Sequence, residues 1–113
     1  MLAALLVEVI AARPRVVVYP QLGKVLEMQQ HLESWVKTRQ GQGSKVGLSM
    51  QMFGPEGVAF VITVRLNDLA ELEQLRQRNR TNQAFHDYLA KTDSLSRHPQ
   101  KIELMEVLVP LPN

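Results

Sequence analysis

The chain has 113 residues, 45% of them apolar, with 13 basic and 11 acidic side chains and a formal net charge of +2. That composition fits one domain with a modest core, argues against disorder, and gives no case for nucleic acid. Cysteine is absent, which excludes disulfides, zinc–thiolate sites and a cysteine nucleophile, and makes a reducing cytoplasm the default compartment.

The opening stretch, MLAALLVEVIAAR, has no basic residue before Arg13 and is interrupted by Glu8. It reads as neither a secretory signal nor a membrane span. Residues 1–14 read as an extension of the first strand or a lead-in to it, since Val7, Val9 and Ile10 favour strand. A short helix over 2–12 competes through its Ala and Leu content. Pro14 marks a bulge or break. The first strand covers Arg15–Tyr19, and Pro20 ends its ladder. A helix is predicted over 22–38. Leu22, Val25, Leu26, Leu32 and Val36 recur at helical spacing, and Met28 and Trp35 widen the stripe. Gly41, Gly43 and Ser44 then form a loop.

A hairpin follows, with arms Lys45–Phe53 and Val58–Arg65 around Gly54-Pro55-Glu56-Gly57. Val46, Leu48, Met50 and Met52 share one face of the first arm, and Phe60, Ile62 and Val64 one face of the second. Asp68 opens a second helix at Leu69, with Glu71 completing a loose capping box. Leu69, Leu72 and Leu75 form its expected buried stripe. The pattern breaks at Arg78–Asn82, where Thr81 or Asn82 caps a second helical piece carrying Phe85, Tyr88 and Leu89. The last strand is Lys101–Val109, with a bulge near Met105.

Strand, helix, strand, strand, helix, strand is the split βαβ plan. The chain is therefore expected to be α+β and ferredoxin-like, βαββαβ with a four-stranded antiparallel sheet, filling residues 1–113 as one domain. Right-handed crossovers put the helices on one face. The other face, expected to be rich in Val, Met and Phe, needs a cover. A twin subunit is the commonest solution.

Val17-Val18-Tyr19-Pro20, followed by Gly23-Lys24-Val25-Leu26-Glu27, resembles the strand, turn and helix start of NIPSNAP-like proteins. Gln21 and Leu22 are extra residues between the Pro and the Gly. The hairpin around Phe53-Gly54-Pro55 and the Arg78-Asn79 break before Phe85 match as well. The resemblance covers the chain from about Arg15. It implies membership of the dimeric α+β barrel superfamily, in which two sheets pack face to face. Members of that superfamily include cofactor-independent monooxygenases of antibiotic biosynthesis, haem-degrading enzymes and small isomerases. Their pockets lie between sheet and helices.

Tyr19, His31, Trp35, Arg65, Arg76, Asn79 and His86 are the candidate ligand-binding residues, and no spacing among them is diagnostic. His31 reads as a general base or as a helix-boundary histidine, the plainer reading being preferred. Trp35 is a substrate platform or simple core. Asn79 orients an oxygenated substrate or ends a helical piece. The histidines at 31, 86 and 98 fall in separate elements and give no metal site. No cofactor, nucleic-acid or membrane partner is indicated, and no catalytic residue is assigned. Three functions stand open: a homodimer binding a small apolar or aromatic ligand, a monooxygenase-like enzyme using Asn79, Trp35 and His31 or His86, and a structural or regulatory dimerisation module.

Overall fold

Alternating Val, Phe and Ile build a sheet whose strands are β1 (Ala12–Val18), β2 (Val46–Gly54), β3 (Gly57–Val64) and β4 (Lys101–Glu106). Between them lie α1 (Val25–Gly41), α2 (Leu69–Arg80) and α3 (Gln83–Leu95). The computed structural model describes residues 12–54, 57–99 and 101–106, with the side chains of 12, 13, 53 and 101–106 outside that description. The strand or helix expected at 1–11, the Pro55-Glu56 turn and the strand end at 107–109 lie outside the described residues.

The strands run β2-β3-β1-β4, and every neighbouring pair is antiparallel. The βαββαβ-like order expected from the sequence is therefore present. Val16 faces Ile62 and Val18 faces Phe60 across the central pair. The β1–β4 register is unbroken from Ala12–Glu106 to Val17–Lys101, so the bulge expected near Met105 is absent there. The irregularity sits instead in the hairpin, between Gln51 and Gly54. A Cβ at Gly54 would meet only the flexible end of the Gln51 side chain, 2.7 Å from its Cδ, which folds over the kink. Pro14 pairs with Leu104 without a bulge, and β1 joins β3 only from Arg15 onward. Pairing also continues past Pro20: Arg97 N donates to Tyr19 O at 2.7 Å and Gln21 N to Leu95 O at 2.8 Å.

Leu22 does not join α1. Lys24 N donates to Gln21 O at 2.9 Å and Gly23 takes φ +84°, closing a turn that holds Leu22 at its tip, 99% exposed. Leu26 is exposed too. The stripe that does pack is Met28, Leu32 and Val36. With Tyr88 and Leu95 of α3 it covers Val18, Phe60 and Ile62. Apolar side chains buried there gain roughly 1.5–3 kcal/mol each over exposed ones.

Two expectations about burial are corrected. No residue of α2 is buried and Leu69 is 51% exposed, because this helix does not lie on the sheet's core. Among the described residues, the face of the sheet away from the helices is also less apolar than expected. Phe60 faces the helices, Met50 pairs with it on that side, and Met52 is exposed. The far side carries Val17, Tyr19, Ala59 and Val61. Ser49 and Gln51 lie directly opposite Val61 and Ala59.

The break after α2 follows from capping. The Asp68 carboxylate accepts from Glu71 N at 2.8 Å to start α2, and Asn82 Oδ1 accepts from Phe85 N at 3.3 Å to start α3. Because α3 carries core residues and α2 does not, the two caps differ in weight. Asn82→Ala should lower global stability by about 1 kcal/mol in urea unfolding. Asp68→Ala should fray α2 with a smaller global loss, read by amide exchange.

Candidate functional site

α1 and α3 meet along an aromatic seam. His31 and Trp35 stand four residues apart on α1, while Phe85, Tyr88 and Thr92 follow three- and four-residue spacing on α3, so each set forms one stripe. The Trp35 and Tyr88 rings stack with centroids 4.3 Å apart at 14°. His31 stacks on Tyr88 at 5.1 Å, and Phe85 lies 6.1 Å from both Trp35 and Tyr88. The Arg39 guanidinium sits 4.5 Å from the Trp35 ring centroid, a cation–π arrangement. An open cleft of about 250 Å³ follows this seam, lined by His31, Ser34, Trp35, Thr38, Ala84, Asp87, Tyr88 and Lys91.

Thr92 organises the polar end. Its hydroxyl, fully buried, donates to Tyr88 O at 2.7 Å. The one proton of that hydroxyl being used, its oxygen accepts from His31 Nε2–H at 2.8 Å. His31 Nδ1 is then the lone-pair atom. Burial, and secondly the Lys91 charge, hold the His31 pKa below its ordinary 6.5, against a hydrogen bond to Tyr88 backbone. His31 is neutral at pH 7. Burial pushes the Tyr88 phenol up to about 12, with a hydrogen bond to Thr92 opposing, so it stays protonated.

The sign of the His31 linkage is fixed by these shifts. The unfolded chain binds more protons than the native one between the lowered native pKa and 6.5. Stability from this group is complete above 6.5 and is lost as pH falls through the native value. Replacing His31 with Gln should flatten the acid limb of a stability–pH curve; an unchanged limb would show that His31 is unperturbed.

A second cleft, about 450 Å³, lies at the α2–α3 elbow among Arg76, Asn79, Arg80, Phe85 and His86. His86 Nε2 donates to Arg80 O at 2.7 Å. Asn79 Oδ1 accepts from Arg39 Nη2 at 3.4 Å. Asn79 therefore reaches the seam indirectly, through the guanidinium over Trp35.

Of the seven candidates, the structure joins His31 with Trp35, and gathers Arg76, Asn79 and His86 at the elbow. Arg65 stands apart, exposed beyond the end of β3. Tyr19 is on the other side of the sheet, 4.4 Å from the His98 ring and 5.8 Å from the Arg97 guanidinium. Sequence reasoning missed Arg39, Tyr88, Lys91 and Thr92 as site residues. The Trp35–Arg39 and Tyr88–Thr92 spacings, both i,i+4, were the available signal.

The layer between sheet and helices is filled, with Val18, Met28, Leu32, Phe60 and Thr92 each under 2% exposed. Both clefts are therefore surface features outside that layer. Among the described residues no group of three His, Asp or Glu converges, and no helix is long and apolar enough to cross a membrane.

No protein-family model matches the sequence, and no curated protein sequence does. Solved structures with the same fold do match. A conserved protein from Methanosarcina mazei Go1 superposes with a TM-score of 0.67 at 15% identity, over 88% of this chain and 94% of its own. The Rv0793 protein of Mycobacterium tuberculosis gives 0.62 at 13%, over 91% and 97%. A protein described as an antibiotic biosynthesis monooxygenase gives 0.64 at 12%, over 88% and 99%. At such identities the likeness establishes the fold alone, a ferredoxin-like α+β domain.

Proposed function

We propose that the protein is a homodimeric α+β barrel that binds a planar aromatic molecule bearing an acidic hydroxyl, in the seam between α1 and α3. The observation that carries this reading is His31, held neutral and oriented by Thr92 at 2.8 Å beside the Trp35–Tyr88 stack. Trp35 offers a partly exposed ring for stacking. His31 Nδ1 accepts the ligand's hydroxyl proton, and Lys91 at the rim favours the anion that results. Chemical-shift mapping with 2-naphthol tests it: the Trp35 indole N–H, Tyr88 and Thr92 should shift together. Shifts scattered over the surface, or none at millimolar probe, would remove the seam as a site.

The same proton transfer supports a second reading, a cofactor-independent monooxygenase-like enzyme. The neutral His31 and the fold shared with the antibiotic biosynthesis monooxygenase favour it. Deprotonating the hydroxyl makes an electron-rich aromatic that dioxygen can oxidise. His86, engaged with Arg80 O, is the weaker base candidate.

The twin subunit belongs to this proposal, seated on the Val17, Tyr19, Ala59 and Val61 face, as does the NIPSNAP-like kinship and a cytoplasmic setting. Light scattering should give the mass of a dimer; a monomer at micromolar concentration would contradict the barrel. A seam that binds nothing, beneath a filled interior, would leave a structural dimerisation module as the remaining function.

A further inference from the structure

We propose that a cavity between α2 and the adjacent ends of β2 and β3 is a binding site for a small organic anion: a carboxylate or phosphate head on a short apolar body. It is separate from the aromatic seam and does not rest on that reading. The cavity measures about 250 Å³. Three cations line it, Lys45, Arg65 and Arg78, against one carboxylate, Glu71. Glu71 is already engaged, accepting from Asn67 N in the α2 cap. Among the described residues no ion pair or side-chain hydrogen bond neutralises Lys45, Arg65 or Arg78.

The backbone places these charges together. Arg65 N donates to Lys45 O at 2.8 Å, which fixes the two residues side by side at one end of the hairpin. On α2, Glu71, Leu75 and Arg78 recur at four- and three-residue spacing and so share the face that lines the cavity. Val64, Leu66 and Leu75 supply an apolar wall, with Leu66 only 9% exposed. Arg78 also lies near Arg39, whose pKa is lowered by burial first and by the Arg78 charge second. Like charges grouped around a partly enclosed cleft repel one another, and a bound anion relieves that repulsion. Two guanidiniums can grip a carboxylate or phosphate by forked, charge-assisted hydrogen bonds. The site also gives α2 a purpose: a helix with no buried residue forms one wall of the cleft.

Calorimetric titration of the full chain at low salt tests this, with benzoate and inorganic phosphate as separate probes. At least one should bind one-to-one, and which one binds identifies the head group. Removing two charges with Arg65→Gln/Arg78→Gln should weaken binding by about tenfold or more. Lys45→Gln should weaken it by a smaller factor and serves if the double variant does not fold. Lys24→Gln/Lys37→Gln, which removes two charges elsewhere, should leave it within about twofold. The proposal is overturned if neither probe binds at tens of millimolar, or if the Lys24/Lys37 variant loses as much as the Arg65/Arg78 variant.

Discussion

Replacing Phe60 with alanine should cost about 3–5 kcal/mol of folding stability, a large part of the 5–15 kcal/mol typical of a domain. Phe60 is 1% exposed. It sits on the central strand β3, opposite Val18 on one side and Met50 on the other. Met28 and Leu32 of α1 belong to the same cluster. Removing the ring takes away its transfer energy and leaves a cavity that two rigid layers cannot close. Phe60→Leu keeps most of the volume and should cost about 1–1.5 kcal/mol. Urea unfolding midpoints compare the two. Equal midpoints would mean that the layer between sheet and helices is not the packed core described.

Tyr88→Ala should have the next largest effect, again about 3–5 kcal/mol. Tyr88 is 8% exposed and touches three other rings, Trp35, His31 and Phe85. It joins the core beneath α3 to the seam, so the substitution should both destabilise the fold and free the Trp35 ring. Tyr88→Phe retains the stacks and separates ring from hydroxyl. A double-mutant cycle with Trp35→Ala should return a coupling of roughly 0.5–1.5 kcal/mol for the stacked pair. Additive effects would show that the two rings do not support each other. The phenol supplies a second check. With its pKa pushed up to about 12 by burial, its stability contribution is intact below the ordinary 10 and is lost as pH rises from there through about 12.

The order of elements was legible because each carries its own local cause. Val16-Val17-Val18 is wholly β-branched and Val58–Val64 largely so, Asp68 and Asn82 are cap residues, and both caps are used. What failed was whatever depends on the neighbour rather than the element. Leu69, Leu72 and Leu75 have the spacing of a buried helix, yet nothing in that spacing says whether a partner lies beneath. Met50 and Phe60 alternate correctly along their strands, but only the sheet's orientation to α1 and α3 decides which face is covered. The seam is the same case. Trp35–Arg39 and Tyr88–Thr92 were visible as stripes, whereas the offset that sets Trp35 4.3 Å from Tyr88 is a tertiary fact. Arg65 was expected to line a pocket with the other candidates; its setting beside Lys45 and Arg78 came only from the packed hairpin end.

Trp35 is the only tryptophan in the chain, so its emission reports on the seam without labelling. Titrating the protein with 2-naphthol above pH 7 should quench that emission saturably. The affinity should weaken as pH falls through the lowered His31 value, which lies below the ordinary 6.5, because protonated His31 can no longer accept the ligand's proton. His31→Leu should lose that pH dependence and most of the affinity. Linear, unsaturable quenching that is the same in the His31→Leu chain at every pH would contradict the account.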